Sequence, residues 1–82
     1  MKVDYTEVQG KLLQKVDDKT EGKLVDVLSE LLNISDDSSY RRIRKEKILT
    51  LDEILLICTK FNISFDETIG ESKNNIVAFS FN

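Results

Sequence analysis

The sequence predicts an all-α domain, a compact five-helix bundle followed by a β-strand-like extension. Three observations carry that prediction. The 82 residues contain no proline and only three glycines, so little interrupts a helix. Apolar residues recur at spacings of three and four along most of the chain. Two capping boxes, Thr50 with Glu53 and Ser64 with Glu67, mark helix starts. A chain of this length supports one small domain with a modest core. Residues 1–70 are assigned to that domain, and residues 71–82 to a linker and a strand-like tail.

The first helix is expected over residues 5–16, where Tyr5, Val8, Leu12 and Val16 share a face with Leu13 beside them. Asp4 followed by Glu7 fits a cap at its start, and Gly10 inside it costs roughly 1 kcal/mol relative to alanine. Asp17 to Gly22 is polar and reads as a loop. The second helix runs from about Gly22 to Leu32 on a stripe of Leu24, Val27, Leu28 and Leu31, widened by Val25 and Leu32. Asn33 follows, a residue that can take the left-handed conformation that ends a helix, and Ile34 closes the turn as a buried plug. Ser35, Asp36 and Asp37 suit the start of a third helix, expected from about Asp37 to Lys45. The fourth helix runs from Thr50 to about Phe61. Leu51, Ile54, Leu55, Cys58 and Phe61 form its main stripe, and Leu56 and Ile57 a second apolar side that reads as core more than interface. A short fifth helix, Phe65 to Ile69, ends at Gly70. Ile76 to Phe81, IVAFSF, is strand-forming. A lone strand lacks backbone partners. It is therefore expected to add to a second copy or to a following domain, and because an apolar strand so near a natural end is an aggregation liability, the chain is expected to be a fragment of a longer protein.

Composition narrows the function. Forty percent hydrophobic and 33% charged residues describe a globular domain rather than a disordered one. The longest apolar run, Ile54 to Cys58, is far short of the roughly 18 residues of a membrane span. The N-terminus has no apolar signal region. Cys58, the single cysteine, can form no internal disulfide and reads as a small core residue, which suits a reduced, cytoplasmic setting. The absence of histidine removes the commonest general base and metal ligand. No nucleophile, base or cofactor loop has a recognisable spacing, so no enzyme, cofactor or small-molecule site is assigned. The paired acids Asp17-Asp18 and Asp36-Asp37 have no calcium-loop spacing and read as loop and cap, so no metal is expected.

One stretch departs from the rest. Arg41 to Lys47 carries five positive residues and one acid, a local charge of +4, in a chain whose net charge is −3. The remaining residues therefore sum to −7. A basic cluster on an acidic protein points to a surface aimed at a polyanion. Tyr40 and Ile43 share a face and read as apolar anchors, while Ser38, Ser39, Arg41, Arg42 and Lys45 point mostly outward. A helix that enters a DNA groove needs that division. The same RRIRK run is also the composition of an ordinary solvated helix face.

The segments Leu28–Leu32, Asn33-Ile34-Ser35 and Ser38-Ser39-Tyr40-Arg41-Arg42-Ile43 resemble helix two, the turn and the recognition helix of lambda repressor-like (Cro or XRE-type) helix-turn-helix domains. The segment from Leu49-Thr50-Leu51-Asp52-Glu53-Ile54 through Phe61-Asn62-Ile63-Ser64-Phe65-Asp66-Glu67 is similar to that family's fourth helix and its exit. The YRRIR and LTLDEI pieces more narrowly resemble BetR-like N-terminal domains of bacterial transcriptional regulators. The resemblance covers residues 5–70. It departs at Asn33, where the family has glycine, and in a turn that reads one residue longer, with Asp36 and Asp37 before the hydroxyl pair. It implies base contacts from Ser38, Ser39 and Arg42, with Arg41 replacing Arg42 if the register slips. It implies phosphate contacts from Arg44, Lys45 and Lys47, and from Lys23 beside the start of helix two. Tyr40, Ile43, Leu28 and Ile34 are left to structure.

Two functions follow as expectations. The first is a sequence-specific DNA-binding domain, acting on double-stranded DNA as a homodimer. The second is a protein-interaction module on the same fold, an antitoxin or adaptor, which the acidic pI near 4.9 favours. Arginines and lysines converging on one face favour DNA; their neutralisation by Asp36, Asp37 and Glu46 favours a protein partner.

Overall fold

Asp4 starts the first helix as its spacing predicts, its carboxylate accepting the N–H groups of Thr6 and Glu7 at 3.1 and 3.2 Å. The computed structural model describes residues 4–72, and over these the chain forms α1 (Tyr5–Lys19), α2 (Leu24–Leu32), α3 (Asp36–Ile43), α4 (Leu51–Phe61) and α5 (Phe65–Ser72). The expected strand at 76–81 lies outside the described residues. No described helix is long and apolar enough to cross a membrane.

Caps set most of the boundaries. Thr50 and Glu53 form the predicted capping box, and Ser64 Oγ accepts the Glu67 N–H at 3.2 Å. Ser35 caps α3, accepting the Ser38 N–H, so Asp36 and Asp37 are its first helical residues and not part of a lengthened turn. Three helices close through a left-handed residue: Asn33 after α2, Lys45 after α3 and Asn62 after α4, with φ of 57°, 66° and 54°. In each case the next N–H bonds back five residues: Ile34 to Ser29 O, Glu46 to Arg41 O and Ile63 to Cys58 O. The closure at Lys45 ends α3 two residues earlier than expected. Gly70 does not end α5, which continues to Ser72.

The core draws on α1, α2, α4 and two loops. Leu12, Leu13 and Val16 of α1 meet Leu28 of α2, Ile57 of α4, and the loop residues Leu49 and Ile63. Leu12, Leu28 and Ile57 are fully buried, each contributing roughly 1.5–3 kcal/mol of apolar burial. α1 packs on α5, and α2 on α3. Five expected placements are corrected. Tyr5, expected on the α1 stripe, is exposed. Ile34 is half-buried, not a buried plug. On α4 the inward side is Ile54, Ile57, Cys58 and Phe61; Leu51 and Leu55, expected on the main stripe, are exposed, and so is Leu56. This rotation buries Ile57 in the core and brings Glu53, four residues earlier, to Arg42 of α3. Burial pushes the Cys58 thiol up, away from the reactive thiolate.

Candidate nucleic-acid interface

The site is built from α2, a three-residue turn and α3. Asn33 takes the left-handed conformation, Ile34 bonds back to Ser29, and Ser35 opens α3. The two helices meet at small side chains. Ser29 Oγ lies 2.8 Å from Ser39 Oγ and within 2.7 and 2.8 Å of Val25 O and Asp36 Oδ1. Either hydroxyl can donate in the Ser29–Ser39 bond. Ser39 is fully buried.

The residues expected to contact bases therefore divide. Ser39 is interior, a hinge between helices and not a group facing a groove. Arg42 is also interior, 5% exposed. Its Nε and Nη2 donate to the two Glu53 carboxylate oxygens at 3.0 and 2.8 Å, and Nη1 donates to Ser38 O at 3.0 Å. The fork that would read a guanine is spent on α4. Burial alone would raise the Glu53 pKa. Hydrogen bonds from Arg42 and the Thr50 N–H, with the charges of Arg42 and Lys47, outweigh it and hold the carboxyl below its ordinary range. Ser38 is half-buried at the first turn, its Oγ accepting from the Ser35 hydroxyl at 3.1 Å. Arg41, the alternative position, is exposed.

The outward face of α3 is Asp37, Tyr40, Arg41 and Arg44, at spacings of three and four. Tyr40, expected as an apolar anchor, is 46% exposed, and the Arg44 guanidinium stands 6.0 Å from its ring centre. Ile43 is half-buried against the core, as an anchor should be. Arg41 Nε lies 3.3 Å from Asp37 Oδ2, and Arg44 Nε 2.9 Å from Glu46 Oε2. The hydrogen bond and charge of Arg44 hold the Glu46 carboxyl below its ordinary range. The charge criterion set by the sequence thus splits: two arginines share an exposed face, and each has an acid of its own segment beside it. Such solvent-exposed pairs are weak and exchange readily for other partners.

Lys45 and Lys47 continue the basic segment, exposed, and Lys23 is exposed at the cap position of α2. None of the three forms an ion pair among the described residues. The Lys45 side chain lies over Gly10: a Cβ at Gly10 would stand 2.9 Å from its Cε and Nζ. The glycine that weakens α1 as a helix thus leaves room for a lysine of the basic loop.

Sequence reasoning missed Gln9. It is 4% exposed, and its amide donates to Arg42 O at 2.7 Å and Lys47 O at 3.0 Å while accepting the Leu49 N–H at 2.8 Å. One side chain of α1 thereby fastens both ends of the basic loop. Its only sequence signal is a polar residue beside the apolar stripe, next to Val8. The pairing of Glu53 with Arg42 was equally hidden behind its capping role. No cluster of three potential metal ligands exists among the described residues. Comparison of the chain with family models, with curated proteins and with solved structures finds no match.

Proposed function

We propose that the chain is a sequence-specific DNA-binding domain of helix-turn-helix type, serving a bacterial transcriptional regulator, with α3 as the helix that enters the major groove. The observation that carries this reading is the two-sided character of α3. Ser39 and Arg42 lock one side to α2 and α4, and the opposite side offers Tyr40, Arg41 and Arg44 to solvent. The base-reading positions become Arg41 and Arg44 with Tyr40 beside Arg44, an arginine fork being suited to guanine. Lys45, Lys47 and Lys23 are left for phosphates. The domain acts as a homodimer on two half-sites about 34 Å apart.

The ion pairs Arg41–Asp37 and Arg44–Glu46 favour a second reading, in which the same face docks on a protein. Binding to a short random duplex across a salt series separates the two. DNA binding on the order of 10⁻⁴ to 10⁻⁶ M, weakening steeply with salt, is expected. Lys23→Ala and Lys47→Ala should each flatten the salt slope by about one phosphate's share. No binding at low salt would sink the DNA reading and leave the protein partner.

A further inference from the structure

An acid on the face of α3 that the DNA reading directs at a polyanion is unexplained by that reading. Asp37 and Arg41 stand one turn apart on that face, and their side chains are 73% and 58% exposed. An exposed pair adds little to stability, and a carboxylate there opposes every phosphate. Asp36 has a structural use, since its Oδ1 takes the Ser29 hydroxyl. Asp37 sits in the first turn of α3, where an acid suits the helix dipole, its charge is felt by Arg44, and among the described residues its one ion pair is with Arg41.

We infer, resting on the DNA-binding reading, that Asp37 and Arg41 read one G·C base pair as a unit, and that Asp37 is a specificity-determining residue. Across the major groove a G·C pair presents two acceptors, guanine N7 and O6, then one donor, the cytosine N4 amino group. The guanidinium of Arg41 offers two parallel N–H groups to the first two. The carboxylate of Asp37 accepts from the third. The ion pair already holds this donor set beside this acceptor set, 3.3 Å apart, so the base pair replaces the contact with one on each side. An A·T pair presents the adenine N6 donor to the guanidinium and the thymine O4 acceptor to the carboxylate. Both groups are then opposed by their like, and the carboxylate is desolvated without a donor. On random sequence the carboxylate meets mostly acceptors. Asp37 therefore weakens wrong complexes more than the right one, which is specificity gained by penalty.

The experiment is selection from a pool of duplexes with a randomised core, using the full 82-residue chain and its Asp37→Asn, Asp37→Ala and Arg41→Ala variants. Circular dichroism melts verify that the exposed substitutions leave the fold intact. The native chain should enrich sites with a fixed G·C pair in each half. Asp37→Ala should bind random duplex more tightly and lose discrimination at that one pair by about tenfold, the scale of one base contact. Asp37→Asn, which offers a donor as well as an acceptor, should lose the carboxylate's share of the penalty against A·T there. Arg41→Ala should weaken every complex and lose the same pair. If both Asp37 variants keep the same stringency at every position and the same random-duplex affinity, the inference is overturned and DNA binding stands. If the native chain retains no duplex at low salt, the DNA reading itself falls and takes the inference with it.

Discussion

Arg42 and Glu53 show how one contact can reverse a residue's role. Taking a guanidinium and a carboxylate out of water is costly unless geometry and hydrogen bonds are good. Here they are: two parallel bonds join the pair, Ser38 O takes a third guanidinium proton, and the Thr50 N–H serves the carboxylate. Arg42→Ala is accordingly expected to destabilise the domain by about 3 kcal/mol, read by urea unfolding, and to lower DNA affinity only through the unfolded fraction. The pair also sets an acid limit. Because the folded Glu53 carboxyl lies below its ordinary value, its stabilisation is complete above about pH 4.3 and is lost as pH falls through the lower folded value. Native chain and Glu53→Gln should differ by a constant amount near neutrality and converge in strong acid. Thermal melts across that range measure it.

At the scale of elements, the three left-handed closures differ in kind. Asparagine tolerates that conformation; lysine pays roughly 1 kcal/mol for it. Lys45→Gly should therefore hold or raise stability by up to about 1 kcal/mol while flattening the salt dependence of duplex binding by one charge. A drop in both would place the lysine side chain, lying over Gly10, in a structural role. α4 gives a second contrast. Ile57→Ala is expected to cost about 2–5 kcal/mol and Leu55→Asn less than about 0.5 kcal/mol, although the two leucine-like side chains sit two positions apart. Denaturant midpoints decide it. The contrast explains what was legible. Caps at Asp4, Ser35, Thr50 and Ser64 are local chemistry and can be read from neighbouring letters, so helix starts come out nearly right. The inward turn of α4 depends on which of two apolar sides meets α1, and the burial of Arg42 depends on an acid eleven residues away. Neither is written in local spacing.

The whole molecule carries its charge unevenly: +4 over Arg41 to Lys47 against −7 elsewhere. On the proposed reading, such an asymmetry would orient the domain toward a polyanion, and the orientation would fade with salt. Opposite in character is an apolar hollow on α1, the α3–α4 loop and the starts of α4 and α5, lined by Tyr5, Val8, Ile48, Leu51 and Phe65. Leu51 and Tyr5 are each 69% exposed. A contiguous apolar patch of this kind suits an association surface, and the two half-sites of the proposed DNA reading call for a second copy. The native chain should therefore self-associate in sedimentation equilibrium, and Leu51→Lys should shift it to monomer with its helix content unchanged.

The Gln9 clamp has one more consequence, on the timescale of chemical ageing. Its amide gives two protons and takes one, and all three are used. Glutamate, the product of deamidation, keeps the shape but has no proton to give. It would set a charge against the carbonyls of Arg42 and Lys47, so a change of about one dalton in α1 would unfasten the basic loop from both ends.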